Sequence, residues 1–224
     1  MTSISKQLQQ FLPPHKIKDK LIDRHAFAAD AGFYYLLPQV VVQPDTVEEI
    51  KQLFSFAHNN NIPLTFRAAG TSLSGQSITD GILVDLSRNW KKIQPLNDGK
   101  QITVQPAAIG AHVNHTLKRY QKKIGPDPAS ITAAMMGGIL SNNSSGMCCG
   151  VKYNSYHTVA SVHFILPNGN EYNTAREEDY IRFTKDDTRI ADRIVQLRNE
   201  VLNNEALVQK IRTKYKIKNT VGYS

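Results

Sequence analysis

The chain has 224 residues, 41% of them hydrophobic and 21% charged, with a formal net charge of +8. That is the composition of a soluble globular protein that can bury a core without disulfides. It excludes a membrane-spanning helix, because no apolar run reaches ~18 residues, and the N-terminus lacks the apolar core of a signal peptide.

Leu8, Phe11 and Leu12 fall at helical spacing, and Pro13-Pro14 ends that segment. Val40, Val41 and Val42 read as a buried, β-branched strand. Thr46 and Glu49 form a capping-box signature for a helix with Val47, Ile50, Leu53, Phe54 and Ala57 on one face. Asn59-Asn60-Asn61 stops it, and Leu64 to Phe66 is the next strand. This strand–helix–strand unit makes parallel strands the expectation.

Residues 67–76 follow directly: Arg67, Ala68, Ala69, Gly70, Thr71, Ser72, Leu73, Ser74, Gly75 and Gln76. Nearly all are small or carry a hydroxyl. Successive free N–H groups in such a loop form an anion-binding concavity, and hydroxyls add donors. Taken alone, the stretch is equally an ordinary connection.

Ile82 to Leu86 reads as a third strand, and Asn97-Asp98-Gly99-Lys100 as a hairpin turn before a strand at residues 102–105. Residues 110–121 form a helix with Val113, Leu117 and Tyr120 inward. A rigid turn, Gly125-Pro126-Asp127-Pro128, precedes a second small, polar loop over residues 137–146. Two such loops, each beside a core strand, leave room for an extended dinucleotide between them. Val159 to Leu166 reads as a buried strand. Ile190, Ile194, Leu197, Val201 and Leu202 form an apolar helical stripe, read as core packing.

Familiar phosphate and nucleophile motifs are missing. No Gly-Lys-Ser/Thr follows the first loop, and neither loop has G-x-G-x-x-G spacing. His112 and His115 lack a third ligand and read as surface residues, so no metal is expected. Cys148 and Cys149 are adjacent, which suits neither a disulfide nor a metal pair. They point to a reducing, cytoplasmic setting, with peripheral association at the inner face of a membrane left open. The basic charge suits anionic ligands, and no RNA motif or zinc-finger spacing supports nucleic acid.

The ordered set of segments over roughly residues 25–223 resembles FAD-linked oxidases of the vanillyl-alcohol oxidase and p-cresol methylhydroxylase fold. Asp30-Ala31-Gly32-Phe33-Tyr34 with residues 38–44 is similar to that family's entry segment. Residues 67–76 resemble its first FAD loop. Gly125-Pro126-Asp127, Met136-Gly137-Gly138, residues 142–146 and Lys152-Tyr153 resemble its second FAD segment. Residues 218–223 resemble its join to a substrate domain. The subgroup most similar is the 2-hydroxy-acid dehydrogenases acting on D-lactate, glycolate and D-2-hydroxyglutarate.

The resemblance implies an α+β, two-lobed FAD-binding domain: a lead-in over residues 1–36, a first lobe over 37–108 and a second over 109–224. It implies an FAD-dependent oxidation of a small anionic 2-hydroxy acid to a 2-oxo acid. This chain would be the FAD-binding part of a longer protein, inactive alone, with the substrate domain and any iron–sulfur cluster downstream. The cofactor would be held by Arg67, Ala68, Ala69, Gly70, Thr71, Ser72, Leu73, Ser74 and Gln76 on one side. Pro126, Asp127, Gly137, Gly138, Asn142, Asn143, Ser144, Ser145 and Gly146 would line the other, with the Val162 backbone at the adenine end. Thr71 stands where covalent members carry a His, so FAD is expected to be non-covalent. Asn154 stands where Gly is usual, and Asn tolerates left-handed geometry better than most residues. Another oxidoreductase of the same fold, or a non-catalytic nucleotide-binding module, is the alternative.

Overall fold

The computed structural model describes residues 3–217. Its first layer is a four-stranded sheet in the order β1-β2-β4-β3. β1 is Ile17–Lys18, β2 Val40–Val42, β3 Leu64–Arg67 and β4 Ile82–Asp85. β2 and β3 both run parallel to β4, which lies between them, while β1 is antiparallel to β2. Every residue of β2 and β4 is buried. Burial on both faces is why Val40–Val42 and residues 82–84 are unbroken apolar runs rather than alternating ones, while the buried Asp85 that ends β4 accepts from Gln43 Nε2 at 2.8 Å.

α1 (Ser3–Leu8) and a following turn place Leu8 and Leu12 in the same core as Val40, Val42, Ile82 and Val84. α2 (Leu21–Ala26) leads toward β2. α3 (Val47–Asn59) links β2 to β3 and buries Ile50, Leu53 and Ala57 against the sheet. Leu53 is fully buried, so Leu53→Ala is expected to cost about 2–5 kcal/mol. Urea denaturation would measure it.

The cap of α3 differs from expectation by one residue. Thr46 Oγ1 accepts from the Glu49 N–H at 3.2 Å, as anticipated, but the Glu49 carboxylate accepts from the Asp45 N–H at 3.0 Å. Its other oxygen is 2.6 Å from the buried Lys16 ammonium, which also bonds Asp45. Burial opposes the Lys16 charge, yet its bonds and attraction to Asp45 and Glu49 outweigh that and raise its pKa above 10.5. The bond from Lys16 holds the Asp45 carboxyl below 3.8. A raised Lys stabilises fully below its unfolded pKa, and a depressed Asp stabilises fully above its own. Stability from this cluster should therefore be flat between roughly pH 4 and 10.5 and fall on both sides. In Lys16→Met that contribution should disappear, which thermal melts across pH would reveal.

A second layer begins with the hairpin β5 (Ile93–Leu96) and β6 (Gln101–Val104). α4 (Gly110–Lys118) and α5 (Met136–Ser141) pack on it, burying Val113, Leu117, Met136 and Ile139 against Ile93, Ile102 and Val104. α6 (Ser155–Thr158) precedes a second hairpin, β7 (His163–Ile165) and β8 (Glu171–Asn173). α7 (Glu177–Asp186), α8 (Thr188–Leu202) and α9 (Glu205–Lys214) follow.

Three expectations need correction. Residues 136–141 are helical, not loop. Only His163–Ile165 of the expected strand pairs, and Val159 and Val162 are exposed, because a lone hairpin covers one face only. The α8 stripe is not core: Ile190, Ile194, Leu197 and Leu202 are all more than two-fifths exposed, and only Ala191 is buried. Residues 218–223 lie outside the described residues.

Candidate functional site

β3 ends at Arg67, and the chain turns through residues 68–76 at the C-terminal edge of the parallel sheet. Gly70 has φ +69°, a conformation suited to glycine. Among the described residues, the backbone N–H groups of Ala68, Ala69, Gly70, Thr71, Ser72 and Leu73 find no acceptor. All but Leu73 belong to half-buried residues. Ser72 Oγ sits within 3.4 Å of the N–H groups of Ser74 and Gln76, and it also bonds the Gln76 side chain. A run of free, partly enclosed donors fits an anion better than it fits a simple connection.

The Arg67 side chain does not join those donors. Its Nη1 donates to the carbonyls of Phe27 (3.2 Å) and Ala29 (2.7 Å), and its guanidinium carbon lies 5.5 Å from the Phe27 ring centroid. Burial pushes the Arg67 pKa down, opposed by Asp85 and Asp30. Arginine remains charged at neutral pH nonetheless.

The second segment is more internally bonded. The N–H groups of Met136 and Gly137 donate to the carbonyls of Ala108 and Pro106. Asn142, Asn143 and Ser144 donate to carbonyls within α5. Asn143 is buried and its Oδ1 accepts from the Tyr156 N–H, so its side chain is a structural joint. The Ser145 N–H has no acceptor among the described residues. Gly146 packs on the rigid turn so closely that a Cβ there would lie 1.9 Å from Asp127 Oδ1. Pro126 is buried, and Asp127 Oδ1 has no hydrogen-bond partner among the described residues. A Cβ at Gly138, by contrast, would meet nothing within 4 Å.

Two further details bear on the sequence reading. The Val162 N–H donates to Thr174 Oγ1 at 2.8 Å and its carbonyl accepts from the Thr174 N–H, so both backbone groups are engaged. Asn154 has φ −67° and caps α6 by accepting from the His157 N–H; it is not left-handed. His112 and His115 are not buried.

Sequence reasoning marked the lead-in as an entry segment but missed its contact with the loop. Ala31 donates to the Gly70 carbonyl at 3.1 Å, and a Cβ at Gly32 would lie 2.6 Å from the Leu73 carbonyl oxygen. It also missed a polar cavity of about 590 Å³ between α3 and the β7–β8 hairpin, lined by Lys51, His163, Glu171, Arg176 and Arg182 among others. The Lys51–Glu171 pair at 2.6 Å spans it. The only signal in the sequence was the scatter of basic residues.

A buried parallel layer that runs into a loop of free donors, beside a second α+β layer with a glycine-bearing wall, defines a two-lobed nucleotide-binding fold. Residues 38–175 match the family model described as FAD binding domain, and the chain belongs to that family. Its fold is of the vanillyl-alcohol oxidase type. It superposes on a Physcomitrella patens BBE-like 1 variant with TM-score 0.66 at 16% identity, covering 82% of this chain and 40% of that one. It also superposes on alkyldihydroxyacetonephosphate synthase with TM-score 0.63 at 22% identity, covering 81% and 40%. In sequence it is 29% identical over 160 residues to D-2-hydroxyglutarate dehydrogenase of Pseudomonas putida, covering 70% of this chain and 16% of that protein. It is 28% identical over 170 residues to glycolate oxidase subunit GlcD of Bacillus subtilis, covering 74% and 36%. The chain thus spans well under half the length of these curated relatives.

Proposed function

We propose that this chain binds FAD non-covalently as part of a dehydrogenase that oxidises a 2-hydroxy acid to a 2-oxo acid. The observation that carries the reading is the run of unpaired N–H groups over residues 68–73. Those groups, with the hydroxyls of Thr71, Ser72 and Ser74, would hold the pyrophosphate. Gly137, Gly138, Ser145 and Gly146 would wall the opposite side, backed by Pro126 and Asp127. When bound, the flavin supplies the two-electron oxidation. The chain's own residues bind and orient it; no general base is assigned among them. The 2-hydroxy-acid substrate is supported by the relatives, D-2-hydroxyglutarate dehydrogenase and glycolate oxidase subunit GlcD. The free cysteines Cys148 and Cys149 support a reducing compartment. No helix among the described residues is long and apolar enough to cross a membrane.

Titrating FAD with the chain should quench flavin fluorescence to saturation, and acid precipitation of the complex should leave the flavin in the supernatant, since Thr71 offers no ring nitrogen for a flavin bond. No saturable quenching would overturn the reading, and flavin retained in the washed pellet would overturn its non-covalent part.

A further inference from the structure

We propose that Arg67 is a positioning residue rather than a phosphate ligand, and that with residues 27–34 it presets the shape of the phosphate loop. The inference rests on the reading of residues 68–73 as that loop. One nitrogen of the guanidinium bonds two carbonyls of the lead-in, at Phe27 and Ala29, and the group lies against the Phe27 ring. The loop then folds over this plate: a Cβ at Gly70 would lie 2.5 Å from the guanidinium carbon. The lead-in touches the loop at three further points. Ala31 bonds the Gly70 carbonyl, Gly32 abuts the Leu73 carbonyl, and the Tyr34 ring lies 3.4 Å from where a Cβ on Gly75 would stand. None of these contacts consumes an N–H of residues 68–73. The loop is therefore gripped from behind while its donors stay free. A site ordered before the ligand arrives avoids the ordering cost on binding.

Lysine separates the two roles. It keeps the charge but lacks the flat guanidinium that lies against the Phe27 ring and beneath Gly70. A direct phosphate ligand would keep much of its effect in Arg67→Lys; a support would not. The test is fluorescence titration of the full chain with FAD, at several ionic strengths, for wild type, Arg67→Lys, Arg67→Gln and Gly32→Ala. All three variants should weaken FAD binding about tenfold or more, with the salt dependence of the wild type. Near-wild-type affinity in Arg67→Lys, with loss and a shallower salt dependence in Arg67→Gln, would overturn the inference and make Arg67 a ligand. Wild-type affinity in every variant would also overturn it while leaving FAD binding intact. Failure of the wild-type chain to bind FAD would instead remove the parent reading. Should the Arg67 variants unfold in thermal melts, Gly32→Ala decides alone, because it adds one methyl facing Leu73 from outside the loop.

Discussion

Gly138→Trp is expected to weaken FAD binding by at least about 100-fold, a loss of ~2.7 kcal/mol, while leaving the unfolding midpoint unchanged. The effect is steric. Gly138 is exposed, and a Cβ built on it meets no atom within 4 Å. It lies inside α5, where glycine is a poor helix former by about 1 kcal/mol relative to Ala. No described residue therefore objects to a side chain there, whereas a bound ligand would. Its neighbour Gly137 would not discriminate, since a Cβ at that position falls 2.8 Å from Pro106 Cβ and would disturb the fold itself. Flavin fluorescence titration and thermal unfolding, run on the same preparation, separate the two effects. Undiminished affinity in Gly138→Trp would remove α5 from the cofactor wall.

The parts of this fold legible in the sequence are those fixed by local chemistry. Val40–Val42 and Ile82–Asp85 announce themselves because a strand buried on both faces needs no polar alternation. Thr46 announces α3 because its hydroxyl caps a residue three positions on. The free donors of residues 68–73 were legible as a run of small residues, though their role was not separable from an ordinary turn. What stayed hidden depends on distant partners. Arg67 reads as a ligand in sequence, yet its guanidinium is claimed by carbonyls 38 and 40 residues earlier. Asn154 reads as left-handed tolerance, yet it is a cap. The α8 stripe shows amphipathicity, which periodicity reports faithfully, but periodicity does not say what covers the stripe. Within the described residues α8 is anchored through Ala191 and the joint at Asp187, so most of its apolar positions stay in solvent.

That joint gives the second large effect: Asp187→Ala should lower the unfolding midpoint by roughly 5–10 °C and expose residues 188–217 to protease. Asp187 is 7% exposed and sits between α7 and α8. Its carboxylate accepts from the Tyr172 hydroxyl, from Asn170 Nδ2 at 2.9 Å and from Asn168 Nδ2 at 2.6 Å. Its carbonyl accepts from the N–H groups of Ile190 and Ala191. One residue thus ties the β7–β8 turn, the β8 strand and the start of α8 together. Tyr172 is itself buried between Phe164 and Phe183, with ring centroids 5.7 and 5.2 Å away. Deleting the carboxylate strands three donors, and the Tyr172 hydroxyl among them cannot reach water.

Titration tests the same joint without mutation. The Tyr172 bond, then those of Asn170 and Asn168, hold the Asp187 carboxyl below 3.8 despite burial. A depressed acid stabilises above its unfolded pKa and loses that contribution as pH falls through the folded one. Burial, then the Asp187 bond and charge, push Tyr172 from 10.0 up to about 12. A raised group is fully stabilising below its unfolded pKa and loses that contribution as pH rises through the folded one. Wild type should therefore weaken below about pH 4 and again between about pH 10 and 12. Tyr172→Phe should lose the Tyr172 part of the alkaline fall and keep fold and cofactor binding. Asp187→Asn should be milder than Asp187→Ala, because its amide oxygen can still accept from Tyr172 and Asn170 while its NH2 faces the Asn168 donor. Trypsin digestion gives a direct readout, since Arg189, Arg193 and Arg198 lie exposed along α8. Equal digestion rates and equal midpoints for wild type and Asp187→Ala would show that the helical segment is held by something other than this carboxylate.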